Sequence, residues 1–146
     1  WQGIAEAHAR RIMEQLGYVG VMTIEYFVTA DGLQVNEMAP RVHNSGHWTI
    51  EGATTSQFEN HLRAGLGWPL GDPSARGISL MVNLIGAVPD AGRVLAVAGT
   101  HLHLYGKAAR PRRKVGHVTL TAATPDALGE RTRQLADALG VALPGS

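Results

Sequence analysis

Tyr18-Val19-Gly20-Val21-Met22-Thr23-Ile24-Glu25-Tyr26-Phe27-Val28 is rich in β-branched and aromatic residues, the composition of a strand. Ala30-Asp31-Gly32 follows as a short turn, with Gly32 free to take positive φ. Residues 33–38 return as a second strand, so residues 19–38 read as a β-hairpin. A three-residue loop would pair Thr29 with Leu33, Phe27 with Val35 and Glu25 with Glu37. Directly opposed side chains have Cβ atoms roughly 4.5–5.5 Å apart, and like charges there are destabilising. A divalent cation between the two glutamates would remove that penalty, and magnesium is held this way, by one or two carboxylates plus phosphate oxygens. Two solvated glutamates on an edge hairpin are the plainer alternative.

Asn36-Glu37-Met38-Ala39-Pro40-Arg41-Val42-His43-Asn44-Ser45-Gly46-His47 continues the second strand. The stretch is too polar to build a core, and polar loops on rigid scaffolds are where functional groups are displayed. Arg41 offers a planar fork for phosphate, carboxylate or bicarbonate, and His43 and His47 can exchange protons near neutral pH. Gly46 marks a close backbone approach or a positive φ. A polar loop shaped by a proline turn is the bland reading.

Upstream, Ile4, Ala7, His8, Arg11, Ile12 and Leu16 fall at helical spacing, predicting a helix over residues 3–16 with Gly17 as C-cap. Downstream, Ser56-Gln57-Phe58-Glu59 fits a capping box opening a helix over residues 57–66, with Phe58, Leu62 and Leu66 on one face. Gly67-Trp68-Pro69-Leu70-Gly71-Asp72-Pro73 is rich in turn formers and is the best candidate boundary, dividing the chain into residues 1–72 and 73–146. Residues 78–85 read as a buried strand, and residues 91–98 are ambiguous. Residues 101–105 and 115–121 read as alternating strands. Thr124-Pro125 opens a last helix that runs to Leu139 and stops at Gly140. The fold class is α+β.

Between the two alternating strands, Lys107, Arg110, Arg112, Arg113 and Lys114 place five cations in eight residues around Pro111. Such a loop could grip one phosphate by charge-assisted bonds, or be a solvated basic loop. It is too short and too poor in aromatics for nucleic acid. His101 and His103 have a spacing that zinc could use, but lack acidic or cysteine partners. His8, His61 and His117 suit surface or structural roles, and Trp48 and Trp68 suit packing. No phosphate-binding glycine loop and no Ser/His/Asp arrangement is readable.

The 146 residues are 45% hydrophobic and 17% charged, with a net charge of +1 and no cysteine. That excludes disulfides and thiolate metal sites and gives no general pull towards nucleic acid or membrane surfaces. No apolar run approaches the ~18–20 residues that cross a bilayer. The absence of a signal peptide adds to the expectation of a cytoplasmic setting. The start on a helical pattern without an initiator Met suggests a piece of a longer protein.

The block Gly17 to Phe27, followed by Asn36-Glu37-Met38-Ala39-Pro40-Arg41, resembles the last third of an ATP-grasp domain. The longer run Asn36 to Trp48 with its His43-Asn44-Ser45-Gly46-His47 stretch, Gln57 to Ala64, and the block from Leu102 to His117 resemble one branch of it, the N5-carboxyaminoimidazole ribonucleotide synthetases. The resemblance covers nearly the whole chain. It implies the C-terminal half of an ATP-grasp domain followed by a small α/β C-terminal domain with antiparallel strands. It also implies a ligase that uses ATP and bicarbonate to carboxylate 5-aminoimidazole ribonucleotide through carboxyphosphate, in purine biosynthesis.

Carried over, Glu25 and Glu37 are magnesium (Mg2+) ligands, with Asn36 and Glu37 also at the ATP phosphates. Arg41 stabilises phosphoryl or carboxyphosphate charge. His43, Asn44, Ser45 and Gly46 line the imidazole and bicarbonate region. Lys107 and Arg113 hold the ribonucleotide 5′-phosphate. The family's N-terminal domains, which carry the adenine pocket, are missing from these residues, so the chain alone is expected to be inactive. A homodimer is implied for the full-length protein. Arg112 stands where the motif has glycine. Another ATP-grasp carboxylase, a formate-using transformylase or a non-catalytic phosphosugar-binding module remain as alternatives.

Overall fold

The computed structural model describes residues 1–143. The chain divides into two compact units, residues 1–50 with 55–73, and residues 51–54 with 74 onward. Helices and antiparallel strands are mixed in sequence, in keeping with the α+β expectation.

The first unit opens with α1, Gln2–Leu16, ended by Gly17 in the left-handed conformation at φ 57°. A side chain at that φ would be strained, which is why the helix stops at a glycine. The expected strand starts five residues late. Residues 18–22 are instead pinned individually: the Tyr18 hydroxyl donates to Val21 O at 3.0 Å, and Val21 N donates to His61 Nδ1 at 3.0 Å. Strands β1, Thr23–Thr29, and β2, Gly32–Ala39, then form the hairpin.

Its register corrects the sequence reading in detail. Thr29 pairs with Gly32, so the loop has two residues, and Phe27 faces Gln34 rather than Val35. Continued unbroken, that register would set Glu25 against Asn36. A β-bulge between Glu25 and Tyr26 shifts it, and Glu25 is opposed to Glu37 after all.

A 3-10 turn, Asn44–Gly46, a short helix α2, Thr49–Gly52, and helix α3, Gln57–Gly65, follow. The expected cap is present: the Ser56 hydroxyl accepts from Glu59 N at 3.2 Å. Of the α3 face read from the sequence, Phe58 is half-buried against His47, while Leu62 and Leu66 are exposed, as is Trp68, which was expected to pack.

The second unit is a three-stranded antiparallel sheet of β3, Ile78–Ile85, β4, Thr100–Leu104, and β5, Lys114–Ala122, in the order β3-β5-β4. Helix α4, Ala91–Leu95, resolves the ambiguous stretch. It starts at Asp90, whose carboxylate accepts from Arg93 N at 3.1 Å. Helix α5, Pro125–Leu139, begins at the expected Thr124 cap and ends at Gly140, φ 67°.

The core joins Leu84, Val94, Val97, Val115, Val118, Leu120 and Leu135. Strand β5 alternates in sequence between apolar and polar residues, as read. As the central strand it is buried on both faces, with His117 and Thr119 as covered as Val118 and Leu120. No helix of the described residues is long and apolar enough to cross a membrane.

Candidate functional site

In the first unit the bulge does the positioning. A bulge sets two residues of one strand against one of its partner and re-aims side chains. Here Asn36 is the inserted residue, and its Nδ2 donates to Glu25 Oε2 at 3.2 Å, while Glu37 takes the register position opposite Glu25. Glu37 is exposed and makes no side-chain hydrogen bond or ion pair among the described residues. An unneutralised carboxylate opposite another suits a cation that brings its own further ligands. No group of three or more His, Cys, Asp or Glu is gathered among the described residues. Two carboxylates could hold a hard cation only together with oxygen ligands from elsewhere.

His43 approaches the same carboxylate. Its Nε2 lies 3.6 Å from Glu25 Oε1. Its Nδ1 caps the 3-10 turn, accepting from Ser45 N at 3.3 Å and lying 2.8 Å from Ser45 Oγ. An Nδ1 that accepts a backbone N–H leaves the neutral ring's proton on Nε2, on the side of Glu25. Arg41 is exposed, its Nη1 donating to Val42 O at 3.0 Å.

Sequence reasoning missed the residue that holds this loop. The buried Gln57 side chain pairs with both backbone groups of His43: His43 N donates to its Oε1 at 3.0 Å, and its Nε2 donates to His43 O at 2.7 Å. Gln57 N donates to Thr49 Oγ1, which donates to Gly46 O at 2.6 Å. Gly46 is a matter of close approach and not of positive φ, since a Cβ there would fall 2.6 Å from Gln57 Oε1. The signal available was a glutamine at the first position of a capped helix, one among many solvated ones.

In the second unit Lys107 and Arg113 share the β4–β5 connection. Arg113 N donates to Arg110 O at 3.1 Å, closing a turn over Pro111 and Arg112. Arg112 has φ 62°, the one positive-φ residue other than glycine among the described residues. Proline followed by a left-handed residue is a type II turn, which favours glycine at that second place. The departure from the motif therefore does not abolish the turn; it puts an arginine into the glycine conformation. Arg113 Nη1 folds back to Ala108 O at 3.5 Å, and Gly86 N donates to Arg113 O at 2.8 Å, tying the loop to the end of β3.

Residues 1–58 match the ATP-grasp domain family, and residues 79–131 match the phosphoribosylaminoimidazole carboxylase C-terminal domain family. The chain belongs to the ATP-grasp superfamily. Within it, the chain belongs to the N5-carboxyaminoimidazole ribonucleotide synthetases. The N5-carboxyaminoimidazole ribonucleotide synthase of Pseudomonas aeruginosa is 54% identical over 134 residues, 92% of this chain and 37% of its own length. The solved synthetase of Thermus thermophilus superposes with a TM-score of 0.89 at 59% identity, over 98% of this chain and 39% of that one. The Aspergillus clavatus synthase, solved with ADP and 5-aminoimidazole ribonucleotide, has a TM-score of 0.73 at 40% identity, over 83% of this chain and 35% of that one. The chain spans about a third of the length of the relatives it matches.

Proposed function

We propose that this chain carries the metal-binding and substrate-phosphate-binding residues of an ATP-dependent carbon–nitrogen ligase. Its reaction is the carboxylation of 5-aminoimidazole ribonucleotide with bicarbonate to N5-carboxyaminoimidazole ribonucleotide, in cytoplasmic purine biosynthesis. The observation that carries the reading is the opposition of Glu25 and Glu37 across a bulge that also turns Asn36 onto Glu25. A like-charged pair built with that much local irregularity is costly unless a cation joins it.

In the first unit, Glu25 and Glu37 would hold magnesium, with Asn36 and Glu37 beside the nucleotide phosphates. The bound ion would neutralise charge on those phosphate oxygens. Arg41 offers a preplaced positive charge to the carboxyphosphate. His43, Asn44, Ser45 and Gly46 form the imidazole and bicarbonate loop, held in one conformation by Gln57. In the second unit, the stretch from residue 74 belongs to the small domain whose Lys107 and Arg113 take the ribonucleotide 5′-phosphate. The adenine pocket belongs to further domains of a longer protein, which would act as a homodimer, and the 146 residues alone would release no ADP from ATP.

The test is ADP release by the full-length protein containing this chain, with bicarbonate, with and without 5-aminoimidazole ribonucleotide, for wild type and Glu37→Gln. Stimulation by the ribonucleotide, and a loss of roughly a hundredfold or more in Glu37→Gln, are expected where a charge-stabilising contact is removed. Absence of stimulation would move the substrate to another ATP-grasp branch. Full activity in Glu37→Gln would remove the metal site, and steady ADP release by the 146-residue chain would overturn the reading that it is incomplete.

A further inference from the structure

Five side chains of the second unit connect in a line that the phosphate-binding reading does not use. Glu51 Oε1 lies 2.7 Å from His103 Nε2. The His103 ring stacks on the His117 ring, with centroids 4.5 Å apart and planes at 11°. His117 Nδ1 lies 2.7 Å from the Tyr105 hydroxyl, and Lys107 Nζ lies over the Tyr105 ring, 5.4 Å from its centroid.

The sheet builds most of this line. His103 and His117 are register partners in the β4–β5 pair, so their rings meet directly across the strands. Gly116, beside His117, lets the strands close, since a Cβ there would strike the His103 carbonyl. Tyr105 N donates to Val115 O at 2.9 Å, holding the residue that follows β4 against β5.

The line is expensive for a purely structural element. The His117 side chain is almost fully buried, and that of Glu51 is only 12% exposed. Glu51 Oε2 is buried without a hydrogen-bond partner, and a carboxylate left partly unsatisfied in a low-dielectric interior destabilises, so that apolar side chains of similar volume would pack there at less cost. What the network does achieve is a fixed Tyr105. Whichever of the hydroxyl and Nδ1 carries the proton, the bond between them sets the plane of the phenol ring. A lysine ammonium on a flexible stem carries ~2 kcal/mol of rotamer entropy. A ring face held in one place restrains it before an anion arrives, and restraint in the bound geometry raises affinity.

We infer that Glu51, His103, His117 and Tyr105 are positioning residues that hold the Lys107 ammonium ready for a phosphate monoester. The inference rests on Lys107 binding the ribonucleotide 5′-phosphate. The experiment compares wild type, Tyr105→Phe, Lys107→Ala and the double variant of the full-length protein. It reads the KM for 5-aminoimidazole ribonucleotide, the KM for ATP, kcat, and the inhibition constant of the ribonucleoside that lacks the phosphate.

Tyr105→Phe keeps the ring but frees it from His117, and should raise the ribonucleotide KM by about twofold to fivefold, with the loss of one whole exposed cation–π contact as the upper bound. Its kcat, the KM for ATP and nucleoside inhibition should stay as they are. In the Lys107→Ala background the same substitution should change nothing further. An equal rise in both backgrounds, a matching loss for the nucleoside, or no rise at all in Tyr105→Phe would overturn the positioning role. An unchanged ribonucleotide KM in Lys107→Ala would instead remove Lys107 from the phosphate site, and the inference with it. Should Tyr105→Phe lose its cooperative unfolding transition, Glu51→Gln decides in its place. It should raise the ribonucleotide KM in the same pattern, and a value equal to wild type would overturn the proposal.

Discussion

Leu120 in β5 and Leu62 in α3 are the same side chain in two different situations. Leu120 is fully buried in the core cluster with Val94, Val118 and Leu135, whereas Leu62 is 65% exposed. The contrast holds for the two units as wholes. The second closes a core of seven buried apolar residues. In the first, Ala39 is the one apolar side chain that is buried, while Ile4, Leu16, Val35, Met38, Leu62 and Leu66 are exposed. A groove between α1 and β2 is lined by Ile12, Leu16, Val35 and Met38. The first unit therefore draws little stability from burial within this chain and is held by specific hydrogen bonds: Gln57 to His43, His61 to Val21, and Asn60 to both backbone groups of Gly71. Apolar contact is additive and tolerant, while hydrogen bonds of this kind are few and each is costly to lose.

The largest test of that contrast is Leu120→Ala, which should cost about 2–5 kcal/mol in urea unfolding of the 146-residue chain, as for other buried leucines. A loss no larger than that of a surface change would mean the second unit has no closed core. Next in size is Gln57→Ala. Leaving the His43 N–H and C=O without their partners should cost about 1–3 kcal/mol. Faster amide exchange confined to residues 43–49 would locate that loss in the first unit. Arg112→Gly should act in the opposite direction, raising stability by about 1 kcal/mol by relieving a left-handed arginine. A fall in melting temperature would show that the Arg112 side chain contributes more than its backbone costs. The smallest effect is expected for Leu62→Ala, within about 0.5 kcal/mol in the same chain. A cost approaching that of Leu120→Ala would erase the difference between the units.

The local elements were legible in the sequence because their signals are local. Glycines at 17 and 140, Ser56, and the Thr124-Pro125 pair satisfy or end backbone ladders whatever else the chain does. The hairpin was visible, but its turn length was not, and the expected Glu25–Glu37 opposition was reached by a different route. A two-residue loop and a one-residue bulge add up to the offset that a three-residue loop would have made. Strand pairing depends on the sum of such irregularities, and the sequence pattern constrains only the sum.

The residue types of the site were set by the sequence itself: two glutamates, an asparagine, an arginine loop and a histidine run have no place in a core and announce polar chemistry wherever they fall. Tertiary structure alone decided that Asn36 turns onto Glu25, that Gln57 holds His43, and that Glu51 and His103 meet across fifty-two residues of chain. It also decided that β5 is covered on both faces. The physical reason is one of range. Caps, turns and strand propensities are settled within a few residues, whereas burial and side-chain pairing depend on which distant segments arrive alongside, and no local pattern records that.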